Sequence, residues 1–225
     1  MRKVVIAVVV LAVLAVVGDR VAEQVAEGEV ASVVQERGNL SAEPDVEFKG
    51  FPFLTQLLGR QLDEVEMTLP VARRAEGPAR LVVEDVEATF YDVSTSDSFD
   101  SAVAERMSGS AVVPYDSINA VGLVRASYLS RENGDPALAL TSNDLGVDTR
   151  VIVGVEIRDG LVTFTNPRGG GALQIPRDLR GVVQPFVDQG YVLTGLPTAF
   201  VIESLEIRPE GLRLALSAQS VQLAS

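Results

Sequence analysis

GFPFLTQLLGRQLDEVEMTLPV, residues 50–71, changes its apolar period half-way along. In residues 51–58 Pro52 suits a first helical turn, and Phe53, Leu54, Leu57 and Leu58 would then share one helix face. Gly50 and Gly59 bound this segment. From residue 62 onward Val65, Met67, Leu69 and Val71 alternate with Glu64, Glu66 and Thr68. That two-residue period is the signature of a half-buried strand. Residues 75–78 read as a turn, and residues 81–93 as a second strand with Val86, Ala88 and Phe90 on one face and Glu87 and Thr89 on the other.

Further along, two hairpins are readable by register. Asp159-Gly160 is a two-residue turn signal that sets Ile157 opposite Val162 and Val155 opposite Phe164. Arg208-Pro209-Glu210-Gly211 sets Ile207 opposite Leu212, Leu205 opposite Leu214 and Glu206 opposite Arg213. In both, the apolar faces coincide. Helices are expected at 117–127, after the Val113-Pro114-Tyr115-Asp116 turn, and at 177–189, with Pro185 ending or kinking the latter. Nothing alternates as strand–helix–strand, which argues against a doubly wound sheet. The expected class is α+β, with a long curved antiparallel sheet packed on an N-terminal helix and short additional helices.

That helix is expected from Asp19 to about Arg37, with Asp19 as its N-cap and Gly38-Asn39 at its end. Val21, Ala22, Val25, Ala26, Val30, Val33 and Val34 would form its packing face. Before it, Arg2 and Lys3 precede an apolar run at 4–17. Fourteen helical residues span about 21 Å, short of the ~30 Å hydrocarbon core, so the run reads as an export signal. Val16 and Gly18 are small enough for a cleavage site after Gly18. An uncleaved anchor with its N-terminus inside is the alternative. Residues 19–225 are expected to form a single domain.

Composition removes most chemistry. The chain has 225 residues and a net charge of −12, which disfavours nucleic-acid binding. It has no Cys and no His, so thiol nucleophiles, thiolate metal sites, histidine bases and every Ser-His-Asp mechanism are excluded. The acidic clusters Asp63-Glu64-Glu66 and Glu84-Asp85-Glu87 fall on the strands, where most acids face water. No metal, cofactor or catalytic residue is assigned.

Residues 50–66, GFPFLTQLLGRQLDEVE, resemble the signature of the LmeA-type phospholipid-binding proteins of actinobacteria. The V-P-Y-D turn at 113–116 and LEIRPEGLRLAL at 205–216 are similar to other parts of that family, so the resemblance covers essentially all of the chain after the leader. It implies a tubular lipid-binding fold, related to bacterial-permeability-increasing proteins, in which a bent antiparallel sheet wraps a helix and leaves an apolar groove for acyl chains. It also implies an exported envelope protein, in a periplasm-like space or on the outer face of the cytoplasmic membrane. Its partners would be a phospholipid or other diacyl lipid and the membrane surface.

The residues themselves agree in part. Val and Leu are plentiful and aromatic residues make up 5%, which suits an aliphatic channel; by themselves such residues more commonly fill a solid core, and the resemblance reverses that order. Groove-lining candidates are Val65, Met67, Leu69, Val86, Ala88 and Phe90. Phe51, Phe53, Leu54, Leu57 and Leu58 gate the groove or dip into a membrane surface, or else plug one end of the sheet. Arg73, Arg74 and Arg80 either contact a headgroup phosphate or form a solvated loop. In so acidic a chain, lipid affinity would come from acyl burial at about 0.8 kcal/mol per CH₂. The rival functions are an envelope assembly factor with a solid core and, less favoured, a carboxylate-dependent glycan hydrolase.

Overall fold

A computed structural model describes residues 2–38, 40–73, 82–96, 101–121, 125–131, 134–142, 149–158, 161–169 and 200–224. The expected turn at 75–78, Arg74 and Arg80, and the expected helix at 177–189 lie outside them. The chain begins with a 37-residue helix, α1 (Arg2–Gly38). It continues through β1 (Asp45–Lys49), α2 (Phe53–Gly59), β2 (Gln61–Arg73), β3 (Val82–Thr95) and β4 (Ala102–Pro114). Then follow α3 (Tyr115–Val121), β5 (Arg125–Ser130), β6 (Pro136–Ser142), β7 (Thr149–Arg158), β8 (Leu161–Gly169), β9 (Phe200–Ile207) and β10 (Gly211–Ala224). A six-stranded antiparallel sheet has the order β1-β2-β3-β4-β10-β9, and a four-stranded sheet the order β5-β6-β7-β8. The class is therefore α+β, with a long N-terminal helix and, among the described residues, two short ones.

By compactness the chain divides into two units. One comprises Met1–Leu69, Glu87–Ser108 and Ala218–Ser225; the other Pro70–Val86 and Gly109–Ser217.

In the first unit β1 and β2 pair with Val46 opposite Met67 and Phe48 opposite Val65, while Glu47 faces Glu66 and Lys49 faces Glu64. Opposed residues share a face, so one side of this ribbon is apolar and the other charged. Val46, Phe48 and Val65 are buried, and on the other side Lys49 Nζ pairs with Glu66 at 2.9 Å and with Glu47. Those two carboxylates raise the Lys49 pKa. Left-handed residues interrupt the strands at Asp92 (φ 53°) and Ser220 (φ 53°). Buried positions accordingly fall an odd number of residues apart, at Ala88 and Val93 and at Ala218 and Val221. A left-handed residue inside a strand re-aims the following side chains and bends the strand locally.

The packing face of α1 differs from expectation. Asp19, Glu23 and Ala31 are buried and Glu27 is half-buried, whereas Val21, Val25, Val30 and Val33 are exposed. The inward stripe recurs every four residues, one helix face, but most of it is acidic. The reason is the edge of the sheet. β1 is an edge strand, and Glu27 Oε1 accepts the Phe48 N–H at 3.0 Å. An unpaired buried N–H costs more than a half-exposed valine, so Glu27 wins the inward face, while Glu23 beside it pairs with Arg20. Nor does Asp19 begin a helix, since α1 runs through it without a break.

In the second unit the hairpins stand as expected. Val155 opposes Phe164 and Ile157 opposes Val162. Arg208 and Gly211 exchange both backbone hydrogen bonds, at 2.9 and 3.3 Å, which sets Ile207 opposite Leu212. Glu206 pairs with Arg208 at 2.7 Å, and Arg213 donates to the Ser110 hydroxyl at 2.8 Å. The core here is Leu138, Val151 and Val153, with Tyr115, Leu140, Val155, Ile207 and Leu212 packed on it. The helix expected at 117–127 is shorter. It spans Tyr115–Val121, and residues 125–127 already belong to β5. Asn119 explains the early stop: its side chain donates to the Ala126 carbonyl (3.1 Å) and accepts the Ala126 N–H (2.6 Å), satisfying the strand from the helix.

Candidate lipid-binding site

The segment from Gly50 to Arg60 is built around α2. Pro52 is its extended N-cap residue and offers no side-chain cap, so the first N–H groups of the helix need partners from elsewhere. Asp19 supplies them. Its Oδ2 accepts the Phe53 N–H at 3.0 Å and its Oδ1 the Leu54 N–H at 2.8 Å. Asp19 is only 3% exposed. The residue expected to cap its own helix thus caps a different one, 34 residues on.

Gln56 fixes the other flank. Its amide donates to the Lys49 carbonyl (3.2 Å) and accepts the Asp63 N–H (2.8 Å), joining the end of β1 to the start of β2. Gly50 has φ +100°, and a Cβ there would lie 2.5 Å from the Gln56 amide nitrogen. The backbone requires glycine, and an added Cβ would push the Gln56 amide away from its two hydrogen bonds. The left-handed residue that ends α2 is Arg60 (φ 57°), not Gly59, and its carbonyl accepts the Thr95 N–H at 3.1 Å. Hinging at the two glycines would have to break these contacts.

The apolar residues of α2 do not share one face. Phe53 is 1% exposed, and its ring stacks on Phe48 with centroids 5.2 Å apart. Leu57 is half-buried. Phe51, Leu54 and Leu58 point outward, at 57%, 38% and 83% exposure. One short helix thus carries a plug on one side and an apolar surface on the other. Of the strand candidates, Val65, Leu69 and Ala88 are buried, while Met67, Val86 and Phe90 are half-buried. The β1–β2 register brings Val65 to Phe48, and hence to Phe53.

An open pocket of about 640 Å³ lies between α1 and β1, lined by Arg20, Glu23, Glu27 and residues 45–51. Its carboxylates and guanidinium suit a polar group and not an acyl chain. Among the described residues, no three carboxylates converge as a metal site would require.

The profile of the LmeA-like phospholipid-binding family matches residues 17–217. The chain belongs to that family. Neither a curated protein nor a solved structure matches it significantly. Two further stretches that carried the LmeA-type resemblance meet in the second unit. The Tyr115 hydroxyl donates to the Arg208 carbonyl at 2.8 Å, and a Cβ on Gly211 would lie 2.3 Å from the Val113 carbonyl oxygen. Together they lock a hairpin to a strand end. Burial, with the Glu210 carboxylate next, pushes the Tyr115 pKa up to about 12.

α1 is long and apolar enough to cross a membrane, and its start fits a signal or an anchor. Asp19, Arg20 and Gln56 were not singled out as site residues from sequence. The available signal was position: Asp19 and Arg20 are the first charges after the apolar run.

Proposed function

We propose that the protein is an exported envelope protein that holds a phospholipid, or a similar diacyl lipid, in an apolar groove. It carries or presents that lipid without catalysis. Residues 1–18 serve as export signal or membrane anchor, and residues 19–225 act as one lipid-binding domain. The observation that carries this reading is family membership over residues 17–217. The groove wall is assigned to Val65, Met67, Leu69, Val86, Ala88 and Phe90, with Phe51, Phe53, Leu54, Leu57 and Leu58 at its mouth.

One observation favours the rival, an assembly factor with a solid core: Val65, Leu69 and Ala88 are buried by the protein's own atoms. Native mass spectrometry of the full chain, expressed with its leader, separates the two. A discrete mass addition that extracts as phospholipid is expected. A bare mass that stays bare after incubation with phospholipid vesicles overturns the carrier reading. Ala88→Phe sharpens the result. In a groove it removes the lipid adduct and leaves the melting temperature unchanged; in a solid core it destabilises by about 1–3 kcal/mol.

A further inference from the structure

Phe51, Leu54 and Leu58 form an apolar surface on an element that ought not to have one. A seven-residue helix is not stable alone in water, and this one is tied down by Asp19 and Gln56 while turning Leu54 and Leu58 outward. Residues 50–59 carry no charge, and the residues that flank them, Lys49 and Arg60, are basic. Two contacts place this surface beside the end of the apolar run of α1. The Asp19 carboxylate bonds the first turn of α2 to α1, and the Arg20 guanidinium, half-exposed and paired with Glu23, lies 5.1 Å from the centroid of the Phe51 ring. Asp19 is two residues past Val17, the end of the apolar run, or about 3 Å along the helix axis. Whatever surrounds Val17 therefore also adjoins α2.

We propose that α2 is an interfacial foot. Phe51, Leu54 and Leu58 lie in the boundary between headgroups and acyl chains of the leaflet from which α1 emerges, and Arg20 sits at the level of the phosphates. The inference rests on the anchor form of the reading above. It assigns the exposed side of α2 to the bilayer surface and leaves the buried side, Phe53, to the protein. The foot fixes the height of the domain above the membrane and keeps the strand β2 that follows it next to the lipid source.

The chain has no cysteine, so a single introduced thiol is labelled uniquely. Leu54→Cys, Leu58→Cys, Val10→Cys and Glu210→Cys, each in the full chain, are labelled with an environment-sensitive fluorophore. They are reconstituted into vesicles of phosphatidylcholine and phosphatidylglycerol that carry a shallow spin-labelled lipid. Leu58 is 83% exposed, so its replacement spares the fold. The labels at 54 and 58 are expected to be quenched several-fold more than the label at 210, alongside quenching at 10. Quenching at 10 with position 58 behaving like 210 overturns the foot and leaves the anchor standing. No quenching at either removes both. A blue-shifted label at 58 that lipid does not quench identifies a protein contact, such as a second copy of this chain, and overturns the proposal.

Discussion

The corner between α1 and α2 and the hairpin corner at Arg208–Gly211 are built on opposite plans. At the hairpin, apolar side chains face in and charges face out: Ile207 and Leu212 pack on Leu138, Val151 and Val153, while Glu206 and Arg208 pair on the surface. At the helix corner, Asp19 and Glu23 are buried while Val21, Val25, Leu54 and Leu58 are exposed. Water rewards the first plan and penalises the second. A region whose carboxylates turn inward, Asp19 to backbone N–H groups and Glu23 to Arg20, and whose hydrophobic side chains are left outside, is suited to a surface that is not water. The hairpin corner holds the fold together, and the helix corner is shaped for an apolar neighbour.

The comparison breaks most sharply inside α2. Phe53→Ala should cost about 3–5 kcal/mol, because a fully buried ring is lost and its stack on Phe48 leaves a cavity. Leu58→Ala, five residues on, should change stability by no more than about 0.5 kcal/mol. Urea unfolding of both variants tests this; similar losses would mean that the two sides of α2 are not different. The next largest effect is at Asp19. Asp19→Ala removes two charge-assisted bonds to the start of α2 and should cost about 2–4 kcal/mol. Asp19→Asn keeps one acceptor oxygen and should lose roughly half as much. Equal losses for Ala and Asn would show that the buried charge, and not the number of acceptors, sets the cost.

Gly211→Ala tests the hairpin corner on its own terms. The added Cβ meets backbone at the Val113 carbonyl, which cannot swing aside as a side chain would. A loss of about 1–3 kcal/mol is expected, read as a lower denaturant midpoint at unchanged slope. A neutral result would mean that the hairpin is not pressed against the end of β4.

These differences also show where sequence reading stops. Both hairpins were legible because register is local. A turn of known type and alternating apolar residues a few positions away determine each other, as at Ile157–Val162 and Ile207–Leu212. β1 was missed although Val46 and Phe48 alternate with Asp45, Glu47 and Lys49, a signal of five residues only. The inward face of α1 was not legible. Periodicity shows that Val21 and Val25 share a stripe, but not whether that stripe meets protein, and the partners that decide it are 21 to 35 residues away in Phe48, Phe53 and Leu54. The strand α3 abuts was misread for a similar reason, because Asn119 ends the helix through a bond to Ala126 that no propensity encodes. In the site, the apolar character of residues 51–58 was plain, while its division into plug and foot depends on which way Asp19 turns the helix.

The smallest effect is at the Tyr115 hydroxyl. Tyr115→Phe deletes one hydrogen bond to the Arg208 carbonyl and should cost about 1 kcal/mol at neutral pH. The pH dependence is the stronger test. Burial raises the phenol from 10.0 to about 12 in the folded chain. A raised folded pKa means that the unfolded chain releases its proton first. The stability tied to neutral Tyr115 is therefore complete below pH 10 and is lost as the pH rises from 10 to 12. Of the four tyrosines, the substitution should remove the phenolate absorbance step near pH 12 and flatten the fall in stability across that window. If the late step survives in Tyr115→Phe, the phenol that burial protects is another one, and the hairpin corner is less dry than its apolar core implies.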